Sequence, residues 1–282
     1  MPVSHLNEAG ATTRAHVPTD RITTTAVELA RAARWQSAAA LLDSAEPADA
    51  ADEARIAIAA AEVALESDWF AGTSLAHGRI EAARARCAEA AELGETERWD
   101  LAFLGLRYAY GRLVLADGAF HPGPEGKDPA ALTAVRTQGL ELRASAPDGV
   151  RRGWAEFYLG VTADNLFGER DSAPAHYEAA LHAGDGHDDR LAREALRHLG
   201  DHALDAGDRP LARAHWERAT ALGARAGLVS GMLTQQFLLA VLARDEGDEA
   251  GAVALAGEIE RWAHEVGAAR VEAQAAAFRA GA

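Results

Sequence analysis

The sequence predicts an all-α fold, an α-solenoid of stacked antiparallel helix pairs, and three observations support this prediction. A spaced phrase of small and bulky residues recurs three times in the second half of the chain. The composition favours helices, because Ala, Leu, Glu and Arg are abundant while only 9 residues are proline and 6% are aromatic. A chain of 282 residues is also long enough for one extended stack of helices.

The recurring phrase begins with a glycine and continues with an alanine, a residue that is usually bulky, and a small or aliphatic residue. Its copies are Gly168, Ala173, Tyr177 and Ala180; Gly207, Ala212, Trp216 and Ala219; and Gly247, Ala252, Ala256 and Ile259. A glycine can end one helix in the left-handed conformation, and the alanine lets the next helix approach closely. The bulky residue then fills the space between units, so each unit needs neighbours to bury its apolar face.

The helix that precedes the second copy carries matching residues, namely Leu196, Leu199, Gly200 and Ala203. Leu199 offers a large side chain, and Gly200 beside it leaves a space for a residue of the next helix. This pattern resembles the tetratricopeptide (TPR) repeat. The phrase glycines, at 168, 207 and 247, are 39 and 40 residues apart, against about 34 in the standard repeat, which predicts longer helices. The chain therefore resembles the long-helix TPR-like superhelices of large actinobacterial regulators and free-standing TPR proteins of the same bacteria.

The resemblance is clearest over residues 154–262 and implies a right-handed superhelix. Residues 1–23 are expected to form a disordered or loosely attached lead, and residues 24–282 a single TPR-like domain. About twelve helices in five or six pairs are expected. Before the clear repeats, periodicity and caps predict helices over about 25–42 with a break at 34–35, then 52–67, 74–93, 97–116 and 129–146. The last segment, 268–282, is predicted to be a capping helix.

The segment 117–128 is the long irregular stretch of the sequence. It contains a Gly-Lys pair but lacks the other glycine and the Ser or Thr of a phosphate-binding P-loop. The net charge of −15 argues against binding to nucleic acid or to an anionic membrane surface. The single cysteine, Cys87, is expected to be a core thiol. Since residues 1–25 hold no apolar stretch of the signal-peptide kind, a cytoplasmic location is expected.

The resemblance implies a binding role, because TPR proteins generally bind partners in the concave groove lined by the first helix of each pair. The matching positions are Tyr108 and Arg112; Tyr158, Thr162 and Asn165; Glu194, Arg197, Asp201 and Asp205; and Thr234, Phe237 and Arg244. This mixture suits an extended peptide or a polar small molecule. The Lys- and Arg-rich clamp of chaperone-type TPR domains is absent. The leading hypothesis is a non-catalytic interaction protein that binds a peptide or protein segment in this groove, with no cofactor.

An alternative is an enzyme or small-molecule-binding protein of specialised metabolism that uses the superhelix cavity. Its candidate catalytic residues are Asp164, His198, Asp201 and His202. Asp164 stands where the repeat usually has Tyr, and a carboxylate buried there needs a partner such as Arg170, Arg197 or His198. A closed pocket would favour this alternative, and an open groove the first.

His198 and His202 lie one helical turn apart with Asp201 between them, which approximates the inverted zinc-protease pattern His-x-x-Glu-His. The repeat already accounts for the residues inside it and no third ligand is identifiable, so no metal site is predicted. A third hypothesis is a regulator whose repeats sense a peptide or metabolite and act through a partner. The sequence leaves the partner and the oligomeric state open.

Overall fold

The computed structural model describes residues 17–116 and 119–281, which confirm the all-α prediction. These ranges contain thirteen α-helices: α1 (Thr19–Arg31), α2 (Trp35–Asp43), α3 (Ala50–Ala71), α4 (Ala76–Glu89), α5 (Glu95–Val114), α6 (Pro129–Ala144), α7 (Gly149–Thr162), α8 (Ala173–Gly184), α9 (Asp189–Asp205), α10 (Arg209–Arg225), α11 (Val229–Asp245), α12 (Glu249–Glu265) and α13 (Ala269–Arg279). A π-helical turn, Ala163–Phe167, continues α7. Two short antiparallel strands, β1 (Leu115–Ala116) and β2 (Ala119–Phe120), follow α5.

The helix ends follow local chemistry in the sequence. Aspartates cap several N-termini: the Asp148 carboxylate accepts a hydrogen bond from the backbone N–H of Arg151, and Asp188 accepts from Arg190 and Leu191. At the other end of the helices, Gly168 and Gly207 have φ of 68° and 83°. Because a side chain is strained in this left-handed region, the repeat glycine ends its helix as predicted.

Several expected boundaries differ from the structure. Helix α1 begins at Thr19, so residues 19–23, expected in the loose lead, are helical because α1 packs against α3 and Thr19 donates to Asp52 at 2.8 Å. Residues 1–16 and 282 lie outside the described residues, as do 117 and 118 of the irregular segment. Helix α3 extends to Ala71 instead of about residue 67 and ends at Gly72, whose φ is 73°.

The helices form an inner and an outer layer. The inner helices α3, α5, α7 and α9 contact one another in order, as do α11 and α13, whereas the outer helices α4, α6, α8, α10 and α12 pack between their neighbours in the chain. Arg193 of α9 also donates to the backbone carbonyl of Gly231 in α11. This layering is what the stacked-pair prediction requires.

The first and last parts of the chain meet. Helix α13 packs against α3, and Arg270 donates to the backbone carbonyl of Trp69 at 3.1 Å. One apolar cluster combines residues of α1, α2 and α3 with residues of α11, α12 and α13, including Trp35, Val63 and Phe237. The inner layer is therefore joined end to end at α3 and α13 instead of presenting two free edges.

The repeat residues pack as knobs into holes. Tyr177 and Trp216 are fully buried between helix pairs, and Cys87 of α4 is buried as expected of a core thiol. The Trp216 indole lies against Gly200 of α9, where a Cβ atom would stand 2.2 Å from its Nε1. The same Nε1–H donates to the backbone carbonyl of Arg197 at 2.9 Å, so the ring is held in place.

Replacing Gly200 with alanine is therefore expected to lower the free energy of unfolding by about 1–3 kcal/mol, because the ring cannot move without losing its hydrogen bond. The matched control is Gly78→Ala in α4, where a Cβ meets nothing within 4 Å. There alanine is expected to stabilise the helix by about 0.5–1 kcal/mol. Urea denaturation followed by circular dichroism measures both, and equal stability of the two variants would contradict this packing.

Candidate functional site: an inner cleft

A cleft of about 270 Å³ lies among α1, α3, α5, α7 and the first turn of α9, and we call it the inner cleft. Its lining combines aromatic rings with charged side chains: Arg31, Ile58, Glu62, Trp99, Asp100, Phe103, Leu104, Arg107, Val150, Arg151, Trp154, Asp188 and Arg190. A wider depression of about 800 Å³ is lined by residues of α6 alone and is open to solvent, so it is a surface feature of a single helix.

Three aromatic rings form one wall of the inner cleft. Trp99 and Phe103, one turn apart on α5, stack with their centroids 5.1 Å apart, and Trp154 of α7 lies 6.0 Å from Phe103. Both indoles are anchored, because Trp99 donates to the carbonyl of Leu142 at 3.0 Å and Trp154 donates to Asp188 at 2.9 Å. The wall is therefore a preorganised apolar surface.

A buried ionic network lies beside this wall. The Glu66 carboxylate of α3 accepts hydrogen bonds from Arg107 of α5, at 2.7 Å, and from Arg190 of α9. Arg190 also donates to Glu62 at 3.2 Å, and its guanidinium lies 5.2 Å from the centre of the Trp154 ring. Burial alone would raise the pKa of Glu66, but Arg190 and Arg107 outweigh it and hold the pKa at about 2. The network thus ties three inner helices together around an ionised carboxylate.

A second ion pair closes another side of the cleft. The Arg151 guanidinium binds both carboxylate oxygens of Asp100, at 2.7 and 2.8 Å. Burial raises the pKa of Asp100 even though Arg151 opposes this shift. Such a two-point contact fixes both side chains, so the charges here are already engaged.

Arg31 is different from the other charged residues of the cleft. It stands at the end of α1 and makes no hydrogen bond or ion pair with any residue in the described ranges, and its Nε–H is buried without an acceptor. Burial and the nearby charge of Arg190 lower the pKa of its guanidinium. The side chain is half-buried, and because arginine stays charged near neutral pH, its guanidinium carries a charge that no described residue contacts directly.

The predicted catalytic candidates form a separate cluster at the π-helical turn. Asp164 is buried and accepts hydrogen bonds from Arg170 at 3.0 Å and from the Tyr177 hydroxyl at 3.2 Å. The His202 Nε2 lies 3.0 Å from the same carboxylate. Arg170 was among the expected partners, whereas Tyr177 and His202 were not. Three partners satisfy Asp164, so the arrangement explains its burial structurally.

His198 and Asp201 complete this cluster. The His198 ring stacks on Tyr177 with centroids 4.8 Å apart, and its Nε2 lies 3.0 Å from Arg197 Nη1. Burial and the charge of Arg197 lower the pKa of His198, which keeps the ring neutral. Burial raises the pKa of Asp201 to about 6, so this carboxyl changes charge close to neutral pH. Within residues 17–116 and 119–281, no group of three or more His, Cys, Asp or Glu side chains is placed to hold a metal ion.

The twelve positions predicted to line the groove are not among the described residues that line the inner cleft. Tyr158 touches its wall, with its ring centre 5.2 Å from that of Phe103. Asn165 donates to the Tyr110 hydroxyl at 2.8 Å, and Glu194 pairs with Arg193. Arg197 lies against His198, as described above. These four residues lie on α7, on the π-helical turn and on α9, all in the inner layer. Their role as ligand contacts stays a proposal.

Other predicted positions have packing roles that the sequence did not show. Thr162 and Phe237 are core residues, and Phe237 packs against Phe278 of α13. Arg244 pairs with Glu249 at 2.8 Å and lies over the Phe278 ring, so it joins α11, α12 and α13. Helix α13 covers Phe237 and Arg244, which a regular open groove would have left free.

The predicted α5 contacts lie closer to the C-terminal end of that helix than the residues that line the cleft. Tyr108 stacks against His77 of α4, with centroids 5.7 Å apart, and Arg112 is exposed. The cleft instead uses Phe103 and Arg107, which lie four residues apart on one face. Tyr108 lies four residues after Leu104, which lines the cleft, so the weaker alignment of α5 placed the predicted contact one turn beyond the cleft.

A detectable signal did exist for two missed residues. Trp154 and Arg190 lie four residues before Tyr158 and Glu194, on the same helix faces. Extending the predicted groove by one turn toward the helix N-termini would have found them. Arg31, Glu62 and Glu66 had no such signal, because α1 and α3 carry no clear repeat phrase.

Among the described helices, none combines the length and the apolar character needed to cross a membrane. No protein-family model matches the chain, and no curated protein matches its sequence. Five solved chains resemble it in structure. One is a Rap protein complexed with competence and sporulation factor, with a TM-score of 0.45 and 15% identity, covering 88% of this chain and 77% of that chain. This similarity is too distant to support a conclusion about function.

Proposed function

We propose that the chain is a non-catalytic binding protein that takes part of a peptide or protein segment into the inner cleft. The observation that supports this most is the anchored wall of Trp99, Phe103 and Trp154 beside the partly buried arginines of the cleft. Tryptophan and arginine dominate the binding energy of protein interfaces when they are held in desolvated pockets.

The size of the cleft defines what enters it. A volume of about 270 Å³ lies just below the ~300–1,000 Å³ of typical small-ligand pockets. It therefore suits one or two side chains of a segment and excludes a folded domain. The rest of the segment would follow the α9 face that continues from Arg190 through Glu194 and Arg197, as the repeat resemblance implies.

Preorganisation favours binding, because the walls do not need to be ordered when the ligand enters. Trp154 is fixed by Asp188, and Arg190 is fixed by Glu62 and Glu66. Fixed side chains reduce the entropic cost of association. Because these charged side chains are already paired with one another, few charged groups in the cleft are free to transfer a proton. The geometry therefore favours binding of a ligand over catalysis.

Selection from a displayed random-peptide library tests this proposal. An enriched peptide is expected to lose at least about tenfold in affinity for Trp154→Leu, because the variant removes an aromatic contact surface. The matched control is Trp262→Leu on α12, since Trp262 is exposed outside the cleft. Fluorescence anisotropy with the labelled peptide measures both variants. Equal loss in both, or no loss in Trp154→Leu, would contradict a peptide site in the cleft.

A second candidate is a small-molecule-binding protein, because the inner cleft is walled by residues of α1, α3, α5, α7 and α9. Native mass spectrometry of the protein purified from its own cells distinguishes the two. A bound small molecule that is present in the wild type and in Trp262→Leu but absent from Trp154→Leu would support this candidate over the peptide. The Asp164 carboxylate is a weaker candidate for ligand contact, because it already has three partners within the protein.

A further inference from the structure

Arg31 holds a charge that its surroundings leave without a direct partner. Helix α1 fixes its position, because the buried Ala26 and Ala30 pack in the apolar cluster that joins α1 to α3. The guanidinium lines the inner cleft, with its Nε–H buried and without an acceptor. The side chain is therefore held at the cleft by its own helix and not by an ion pair.

The carboxylates near Arg31 are already committed elsewhere. Those close enough to influence its charge are Glu62, Glu66 and Asp188. Glu62 accepts from Arg190, and Glu66 accepts from both Arg107 and Arg190. Asp188 caps α9 and accepts from Trp154. None of them forms a hydrogen bond or ion pair with Arg31, so a ligand would not have to displace a carboxylate from this guanidinium.

We propose that the ligand carries a carboxylate that binds Arg31 and an adjacent aromatic or large apolar group that packs on Trp154 and Phe103. This proposal rests on the proposed function of the inner cleft. An arginine guanidinium matches a planar carboxylate with parallel hydrogen bonds. A singly charged group also fits better than a doubly charged phosphate, because Glu62 and Glu66 stand nearby and repel negative charge.

The carboxylate could come from a free acid, a peptide C-terminus or an acidic side chain, which share this chemistry. The free-acid probe is N-acetyl-tryptophan, compared with its neutral amide. Three dipeptides address the other sources. N-acetyl-glycyl-tryptophan has a terminal carboxylate, and N-acetyl-tryptophanyl-glutamate diamide, in which both carboxylates are replaced by amides, is the neutral control. N-acetyl-tryptophanyl-glutamic acid α-amide retains only the side-chain carboxylate.

Ligand-observed NMR titration with the full chain measures these probes. The acid is expected to bind at least about tenfold more tightly than the amide to the wild type. Arg31→Gln should remove this preference, and Arg31→Lys should restore part of it because lysine keeps the charge but not the paired donors. The matched control is Arg34→Gln, three residues away and exposed, which should keep the full preference.

Equal binding of acid and amide to the wild type would overturn the carboxylate proposal while leaving the cleft as a peptide site. The carboxylate proposal is also overturned if the protein binds a library peptide but none of the carboxylate probes. In that case the binding of the library peptide still supports the proposed function. A merely structural role for Arg31 predicts a lowered melting temperature in Arg31→Gln without a change in acid preference. Because Arg31 has no direct partner among the described residues, we expect Arg31→Gln to keep its melting temperature and to lose the preference for the acid.

Discussion

Replacing Trp216 with alanine is expected to lower the free energy of unfolding by about 3–5 kcal/mol. The indole is only 1% exposed and fills the space beside Gly200 between α9 and α10. Alanine would leave a cavity there and also remove the hydrogen bond to the carbonyl of Arg197. Since each helix pair is stable only through its neighbours, the damage should spread to the adjoining pairs.

Trp262 provides the matched control for this prediction. It lies on α12 with 49% of its surface exposed, so Trp262→Ala is expected to change the stability by less than about 0.5 kcal/mol. Chemical denaturation followed by circular dichroism compares the two variants with the wild type. Similar midpoints for Trp216→Ala and Trp262→Ala would show that the repeat phrase does not mark the interfaces between helix pairs.

The success of the fold prediction has a physical reason in these same residues. The phrase around Gly207, Ala212 and Trp216 specifies a helix end, a close approach and a filled interface within ten residues. Such local constraints can be recognised without knowing the rest of the molecule. The boundaries of α1 and α3 were predicted less well, because their extents depend on packing against distant helices.

The inner cleft was not predicted, because distant segments build it. Arg190 and Glu66 are separated by 124 residues in the chain and meet only when α9 comes to lie beside α3. Arg31 reaches the same cleft from α1, which has no repeat signature. The prediction of a groove used the repeat helices alone and could not include the side chains that α1 and α3 contribute.

The meeting of α3 and α13 changes what the predicted groove can do. A solenoid with free ends would present its whole inner layer to a partner. Here α13 covers Phe237 and engages Arg244, while α3 brings Glu62 and Glu66 against the arginines of α5 and α9. The accessible inner surface is thereby reduced to a cleft with defined walls, which favours a short segment over a long extended one.

Replacing Glu66 with glutamine is expected to lower the free energy of unfolding by about 3–5 kcal/mol at pH 7. The side chains of Glu66, Arg107 and Arg190 are 12%, 11% and 16% exposed. Removing the carboxylate charge leaves two buried guanidinium groups without their shared partner, and only Glu62 remains bonded to Arg190. The control is Glu89→Gln on the exposed surface of α4, where loss of the pair with Arg86 should cost less than about 1 kcal/mol.

The pH dependence of this difference tests its electrostatic origin. The pKa of Glu66 is lowered from its ordinary value of 4.5 to about 2 in the folded chain. Its contribution to stability is therefore fully present above about pH 4.5 and is lost as the pH falls through 2, because Glu66 is protonated in both the folded and the unfolded state below that pH. Urea denaturation of wild type and Glu66→Gln at pH 7, 5, 4 and 3 should show their difference shrinking only below about pH 4.5. A difference that stays constant down to pH 3 would mean that Glu66 stabilises the cleft through its shape and not through its charge.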